Sequence, residues 1–502
     1  MPARRQRVIP PTPTADKQQR FGGRTFPIAY RVGIGKKAST FAMSVSVIPA
    51  LLGCDRVNLG VTFVAVAIAL ISARPYAGSW NDGSRLATVE SLVDYHTWVI
   101  DNSIFVRENA QPSPYPASEP ALRALGTRDK IWIGNHFYSD KPPVPALFLA
   151  IVYGGLKLLT GLTAHAQPNW FCYLMTITSS GVAYVISVSA IDRLAAGYEL
   201  ALRARLLVTA SFALGTIALP YSRHVNNHIL LLAVCASVVL IVSHKKIFST
   251  GELIGIGSLA GAGYTLDFAI GSFLVIGIIG LMAAKTRAWQ KMLVILAAAF
   301  PWFALHHALN YMIAGTFLPA NLNPAVSLWS GSPFTADQLT GGWHHRSVYH
   351  FASYAVDLLV GKRGFLLDNL PLLLVLPAAV WLLRQHARAA AEVWFAIAFS
   401  TFSWLIYAIA STNHGGVCCS VRWFVPLLAP GYLILVVFLH YRPRAEAELR
   451  ILSAGGFVLG ALMWWRGPWN GHLVPGYWFI VSATCLAWVM YRVQRAVYHL
   501  EY

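Results

Sequence analysis

The sequence predicts an all-α polytopic membrane protein of about twelve transmembrane helices, with a long first external loop that carries surface-lying helices. Three observations lead there. Hydrophobic residues make up 56% of the 502-residue chain and charged ones only 12%, whereas a water-facing domain carries roughly a quarter charged residues. Apolar segments of membrane-crossing length recur from residue 57 to the end. Lysine and arginine fall in short clusters between those segments, as the positive-inside bias requires. Mean hydropathy is +0.53, and together these values exclude a disordered chain, a collagen-like fibre and a disulfide scaffold.

The first element is a basic segment, 1–55, with nine Lys/Arg in its first 37 residues. It has no apolar core of the signal-peptide kind, and the run Ser39–Gly53 is short enough to read as an interfacial helix. Val57–Ala73 is the first convincing span. A polar external loop, 74–142, follows and holds eight of the 21 acidic residues. Next come an apolar helix from Pro142 to about Leu162 and a span at Trp170–Ile191. Further spans are expected at Leu206–Leu219, His228–Ser243, Leu253–Tyr264, Phe268–Ala284, Met292–Met312, Phe365–Leu383, Val393–Ala410, Trp423–His440, Ile451–Trp465 and Tyr477–Tyr491. A second external loop, 313–364, lies among them. The chain thus divides into the basic segment, a transmembrane module at 56–290 that includes the external loop, and a C-terminal transmembrane module at 291–502.

Charge parity decides how the chain is threaded. If the helix after Pro143 only dips into the membrane surface, 24 Lys/Arg fall on the cytoplasmic side and 14 on the outer side, with Arg56 at the boundary. If it crosses, the later basic clusters move opposite the basic N-terminus. The dipping arrangement satisfies the bias, with both termini cytoplasmic and both long loops external. The formal charge of +18 is then an orientation signal, not a nucleic-acid footprint. Twelve of the sixteen histidines fall on or near the outer side, so any chemistry belongs there. The six cysteines show no CxxC or paired spacing and read as small apolar residues; Cys418 and Cys419 are adjacent.

The external loop opens with Trp80-Asn81-Asp82-Gly83-Ser84-Arg85 and closes with His136-Phe137-Tyr138-Ser139-Asp140-Lys141-Pro142-Pro143. An acid at a span's exit can face a cavity at the lipid–water boundary, where desolvation raises basicity. A lysine followed by two prolines is held at a helix N-terminus, where the ammonium and the helix's positive end favour an anion. Such a pair suits a lipid phosphate. The plainer alternative is that Asp82 caps a helix and Lys141 reaches to headgroups.

This pattern, an early Asp and a (Y/H)-x-(D/E)-K-P-P closure before a surface-lying helix, resembles the glycosyltransferase C superfamily. Its nearest branch contains protein O-mannosyltransferases and aminoarabinose lipid A transferases. The resemblance covers mainly residues 57–290. It implies a glycosyltransferase that takes sugars from polyprenyl-phosphate carriers outside the cytosol with inversion. It implies Asp82 as the catalytic base and Lys141 as the residue facing the donor phosphate, with Tyr138 and Asp140 at the aromatic and acidic positions before that lysine. Gly83 departs from the pattern, since the family often has a second acid there.

Other residues can complete such a site. In Pro220-Tyr221-Ser222-Arg223-His224-Val225-Asn226-Asn227-His228, Asn227 or His228 takes the approximate place of another polar active-site group in the family. His224 and His228 are spaced i, i+4 and could meet a divalent metal on one helical face; no cofactor is required by the pattern. Asp267, at the tip of a tight hairpin between two spans, reads as a helix cap, a cavity residue or both. Gly361-Lys362-Arg363-Gly364 and the Gly415–Trp423 segment supply positive charge, and Arg422 is the better phosphate candidate. His345 and Arg346 could contact a sugar or acceptor. No ATP-binding or hydrolase motif is present.

The expected protein is therefore a cell-envelope transferase of the bacterial inner membrane, with its active site on the external face. Its partners are a polyprenyl-phosphate-linked sugar, an acceptor protein, lipid or polysaccharide, and the bilayer, with no nucleic acid. A transporter or flippase of a lipid-linked or anionic solute is the alternative, although no internal repeat is visible.

Overall fold

A computed structural model describes residues 55–243, 245, 247–385 and 390–497. The basic segment up to residue 54 and its expected interfacial helix lie outside the described residues. The chain is a helical bundle of α1 (Arg56–Ser72), α2 (Trp80–Asp94), α3 (Pro143–Thr160), α4 (Pro168–Gly197), α5 (Leu202–Leu214), α6 (Asn227–Val242), α7 (Thr250–Leu266), α8 (Phe268–Thr286), α9 (Trp289–Ala314), α10 (Val348–Val360), α11 (Val375–Arg384), α12 (Ala390–Ala410), α13 (Leu428–Tyr441), α14 (Glu446–Arg466) and α15 (Tyr477–Val497). Short turns of helix join them.

Among the described residues seven helices are long and apolar enough to cross a membrane, or eight if one bent pair counts as a span. The expected twelve are not all present at that length. α1 and α6 are apolar but shorter, and α5 has only 13 residues. The expected span Phe365–Leu383 is broken instead, with a 109° bend between Val348–Asp368 and Leu370–Arg384. Pro371 has no N–H to continue the ladder. Asn369 fills in, its amide donating to Phe365 O at 2.6 Å and its carbonyl accepting from Ile217 N at 2.8 Å. α3 is a continuous 18-residue helix, so its length alone does not separate a dip from a crossing.

Two apolar cores organise the fold. The larger runs through the bundle, with α13 at its centre: every residue from Leu428 to Leu439 is buried. The smaller lies under the first long connection, where Leu86, Val89, Ile100, Phe105, Tyr153 and Phe171 meet. Phe171 sits 4.7 Å from Tyr153 and 5.9 Å from Phe105 between ring centroids, contacts worth about 0.5–1.5 kcal/mol each beyond their buried area. α2 is covered by protein along most of its length. Asn81 through Ser91 are buried on every side, because this second core closes over the helix face that the sequence would leave to water.

The connection also contains strands that the all-α expectation omits. β1 (Lys130–Ile133) pairs antiparallel with β2 (His136–Ser139), with Lys130 opposite Ser139 and Ile133 opposite His136. Gly134 and Asn135 both have positive φ, 56° and 66°, the two-residue turn whose twist matches a hairpin. The second long connection docks on this hairpin. Trp329 Nε1 donates to Lys130 O at 3.2 Å, its ring lies 4.9 Å from Phe137, and Lys130 Nζ sits 3.9 Å above the Phe137 ring.

Candidate active site

Asp82 stands at the third position of α2 and is 1% exposed. Its placement is local chemistry. Ser79 caps the helix, its Oγ accepting from Asn81 N at 3.0 Å, and Asp82 reaches back in a capping box. Ser79 N and Ser79 Oγ donate to Oδ1 at 2.8 and 2.6 Å, and Gly78 N donates to Oδ2 at 2.7 Å. Asp82 thus does cap the helix. It also faces outward from it, with His224 Nδ1 3.2 Å from Oδ2.

His224 is held by α4. α4 contains a π-type turn at Ile177–Gly181, a feature common at functional sites, and Ser180 in that turn donates to His224 O at 2.7 Å. Gly78 leaves room for the imidazole, since a Cβ there would stand 2.7 Å from His224 Cε1 and 2.9 Å from Trp469 Cδ1. The i, i+4 pairing with His228 does not form: α6 begins at Asn227 behind its cap Asn226, so His224 precedes the helix. Among the described residues no group of three or more His, Cys, Asp or Glu side chains is gathered to hold a metal ion.

Gly83 has a steric reason. A Cβ there would run into the Tyr115 hydroxyl, which donates to Phe105 O at 2.7 Å. A side chain at position 83 would therefore displace a tyrosine of the smaller core.

Lys141 is held by the hairpin. Antiparallel register carries Asp129, just before β1, towards Asp140, just after β2, and Lys141 Nζ donates to both, at 2.7 and 2.6 Å. Burial works against the Asp129 carboxylate, but the Lys141 ammonium outweighs it and holds Asp129 below the usual range. Burial raises Asp140, and the Asp129 charge adds to the effect. Ser84 on α2 joins the group through Ser139 Oγ at 2.6 Å and Asp140 Oδ1 at 3.2 Å. Tyr138 stands on β2 opposite Ile131, half-buried.

Arg85, one turn after Asp82, donates to Asn81 O at 2.7 Å and to the Asn81 and Asn227 side chains. Burial, with the neighbouring Arg422 charge, lowers it to about 10. Asn227 passes the connection on, donating to Leu266 O at 2.7 Å. The next residue, Asp267, caps α8 through Ala269 N and Ile270 N at 3.1 and 3.0 Å and accepts from Tyr407 Oη at 2.9 Å. Asp267 is thus a helix cap, buried against Tyr407. His228, in the first turn of α6, is buried with Nδ1 unpartnered.

Arg422 approaches from the other half of the chain. It lies within electrostatic reach of Arg85, Asp129 and Asp267, and its Cζ sits 5.9 Å from the Trp469 ring. Among the described residues its buried Nε has no acceptor, and no side chain forms an ion pair with it. Trp469 also meets His224, at 6.4 Å between centroids. One indole therefore separates the Asp82–His224 pair from a guanidinium without a counter-ion.

His345 and Arg346 do not join this cluster. His345 is buried against Trp343 and Tyr354 with its Nε2 2.7 Å from Ala408 O, and Arg346 is exposed. Sequence reasoning also passed over Arg85, Asp129 and Trp469. Arg85 was findable from its i+4 spacing to Asn81, and Asp129 from the Gly-Asn hairpin turn; nothing local marks Trp469.

The sequence matches no protein-family model and no curated protein. Among solved structures, the chain is similar to ArnT from Cupriavidus metallidurans bound to undecaprenyl phosphate, at 14% identity and TM-score 0.46, over 86% of this chain and 75% of that one. The apo form of ArnT gives 14% and 0.45 over the same shares. The oligosaccharyltransferase of Archaeoglobus fulgidus in its apo form gives 11% and 0.42, over 86% of this chain and 54% of that one. At such identities and scores the likeness assigns no chemistry to any residue here.

Proposed function

We propose that the protein is a membrane glycosyltransferase that moves a sugar from a polyprenyl-phosphate carrier to an acceptor hydroxyl, with inversion, on the outer face of the bacterial inner membrane. The observation that carries this reading is the counter-ion-free guanidinium of Arg422, one indole away from the buried Asp82–His224 pair. A group that develops negative charge needs a cation without a partner, and a group that loses a proton needs a basic site. The cluster supplies both on either side of one indole.

The acceptor oxygen attacks the anomeric carbon as the bond to the carrier phosphate breaks. Its proton goes to Asp82, whose Oδ2 faces His224, and the departing phosphate takes its counter-charge from Arg422. Lys141 already sits between two carboxylates, so its main work is to hold Asp129 and Asp140 in place, with a smaller share in phosphate binding. Arg85 and Asn227 brace the α2 and α6 ends of the cluster, and Tyr138, Asp140, His228 and Asp267 line it as substrate-contacting groups. No step here runs through a metal ion.

The test pairs donor binding with sugar transfer by the purified protein in detergent, wild type against Asp82→Asn. Transfer should fall by about 10²–10⁴-fold, the usual worth of a general base, while the lipid donor remains bound. Retained transfer removes Asp82 from the chemistry. No transfer by wild type to protein, lipid or polysaccharide acceptors, with donor binding intact, points to a transporter instead.

A further inference from the structure

A second group of arginines lies at the neighbouring ends of α1 and α14, outside the cluster just described. Arg74 follows α1 by two residues, and Arg223 lies one residue before His224. Their backbones are joined, Arg74 N donating to Arg223 O at 3.1 Å. Each Cζ sits 5.7 Å from the ring of Trp464 in the last turn of α14, and Trp464 is fixed by its Nε1 donating to Ser72 Oγ at 2.9 Å.

Arg223 is 5% exposed and partly accounted for. It donates to Trp464 O and, at 3.2 Å, to Trp465 O, answering the open carbonyls at the α14 C-terminus. The guanidinium rests over Gly467, where a Cβ would stand 3.3 Å from Nη1. Its Nε, however, is buried without an acceptor, and so is that of Arg74. Among the described residues neither arginine has a carboxylate within ion-pair distance. Burial and the Arg74 charge together lower Arg223 to about 10, the direction expected of two like charges held side by side.

Two guanidiniums on one indole, each with an Nε–H unanswered among the described residues, match the planar, multidentate recognition of a phosphate. The surroundings identify the phosphate's carrier. At the same helix ends Ile71 is 68% exposed and Trp465 is 77% exposed. In a membrane bundle such residues face lipid, and tryptophan belongs at headgroup level. We infer that Arg74 and Arg223, braced on Trp464, form a second oxyanion site that takes the phosphate of an anionic membrane lipid. This site stands apart from Arg422 and does not depend on the transferase reading.

The probe is phosphatidylglycerol against phosphatidylcholine, presented in neutral-detergent micelles to the full-length protein, with lipid retention read by native mass spectrometry. Wild type should retain phosphatidylglycerol preferentially. Arg74→Gln, which leaves the α14 carbonyls capped, should bind it about tenfold more weakly, the loss expected for one charge-assisted contact. Arg74→Lys should recover part of that loss. Arg346→Gln, at an exposed arginine outside both clusters, should leave retention unchanged, so a loss in Arg74→Gln is not a general loss of positive charge. Phosphatidylglycerol that inorganic phosphate does not displace supports the lipid source, and displacement by inorganic phosphate supports a site for the free ion. Equal retention of the two lipids by wild type, or equal phosphatidylglycerol retention by a folded Arg74→Gln protein, overturns the proposal.

Discussion

Lys141 and Arg422 both carry positive charge towards the centre of the cluster, but in opposite circumstances. The lysine is saturated by Asp129 and Asp140, whereas the arginine lies against an indole face and, among the described residues, forms no ion pair. Arg422→Gln should therefore weaken donor binding by about 10–100-fold, the worth of a charge-assisted hydrogen bond to phosphate, with no change in melting temperature. Lys141→Ala should lower the melting temperature as well, because it leaves two facing carboxylates without their ammonium. Donor titration and thermal unfolding of both variants check this. A stable Lys141→Ala protein with donor affinity lost, beside an Arg422→Gln protein that binds normally, would reverse the two assignments. At this scale the sequence was legible where chemistry is local. Asp82 stands out by its place after a span, Lys141 by its prolines, and Asp267 by its hairpin. It was illegible where a partner comes from far along the chain. Nothing near residue 141 announces that its charge is already matched, because Asp129 arrives through strand pairing.

The elements explain why α2 can be so polar and yet buried. Its inner turns are answered one at a time: Arg85 by Asn81 and Asn227, Glu90 by Ser103 Oγ and Ile104 N at 2.5 and 3.0 Å. Asp94 is answered by Tyr153 and Lys157 at 2.8 and 2.7 Å. Glu90 is the weak point. Burial lifts its carboxyl from 4.5 to about 7, and Oε1 has no partner. The folded protein thus holds this proton more tightly than the unfolded chain. Its stabilising effect is complete below about pH 4.5 and is lost as pH rises towards 7. Glu90→Gln, which keeps the uncharged form at every pH, should flatten the fall in melting temperature between pH 5 and pH 7.5. A fall of the same size in the variant would assign it to other groups. The hairpin was readable from Gly134-Asn135 between two short alternating runs. The interruption at Asn369-Leu370-Pro371 was partly readable, since a proline in an apolar run signals a break but not the angle. The burial of α2 was not, because a helix with mean polarity this high is covered only when a second core forms above it.

For the whole molecule, the threading expected from where the charged clusters lie can be checked without reference to activity. With both termini cytoplasmic, cysteines introduced at exposed Gln111 and Ser330 should react with an impermeant maleimide added to intact cells. A cysteine at exposed Glu199 should react only after the membrane is opened. The reverse pattern would invert the orientation and move the Asp82 cluster to the cytoplasmic side. The broad architecture, a bundle with one long polar connection near its start and another past its middle, could be foreseen from hydropathy and charge alone. Which helices reach full membrane length could not, because short apolar stretches such as Leu202–Leu214 are sheltered by longer neighbours.

The indole between His224 and Arg422 has a consequence for the order of synthesis. Asp82 emerges from the ribosome early, while Trp469 belongs to the last connection of the chain, just before α15. Until that connection is translated and the final helices are inserted, the carboxylate and the guanidinium have nothing between them to set their spacing. A chain truncated after α13 would hold nearly every charged group of the cluster, each placed by its own cap or hairpin, and would lack the indole that lies between His224 and Arg422.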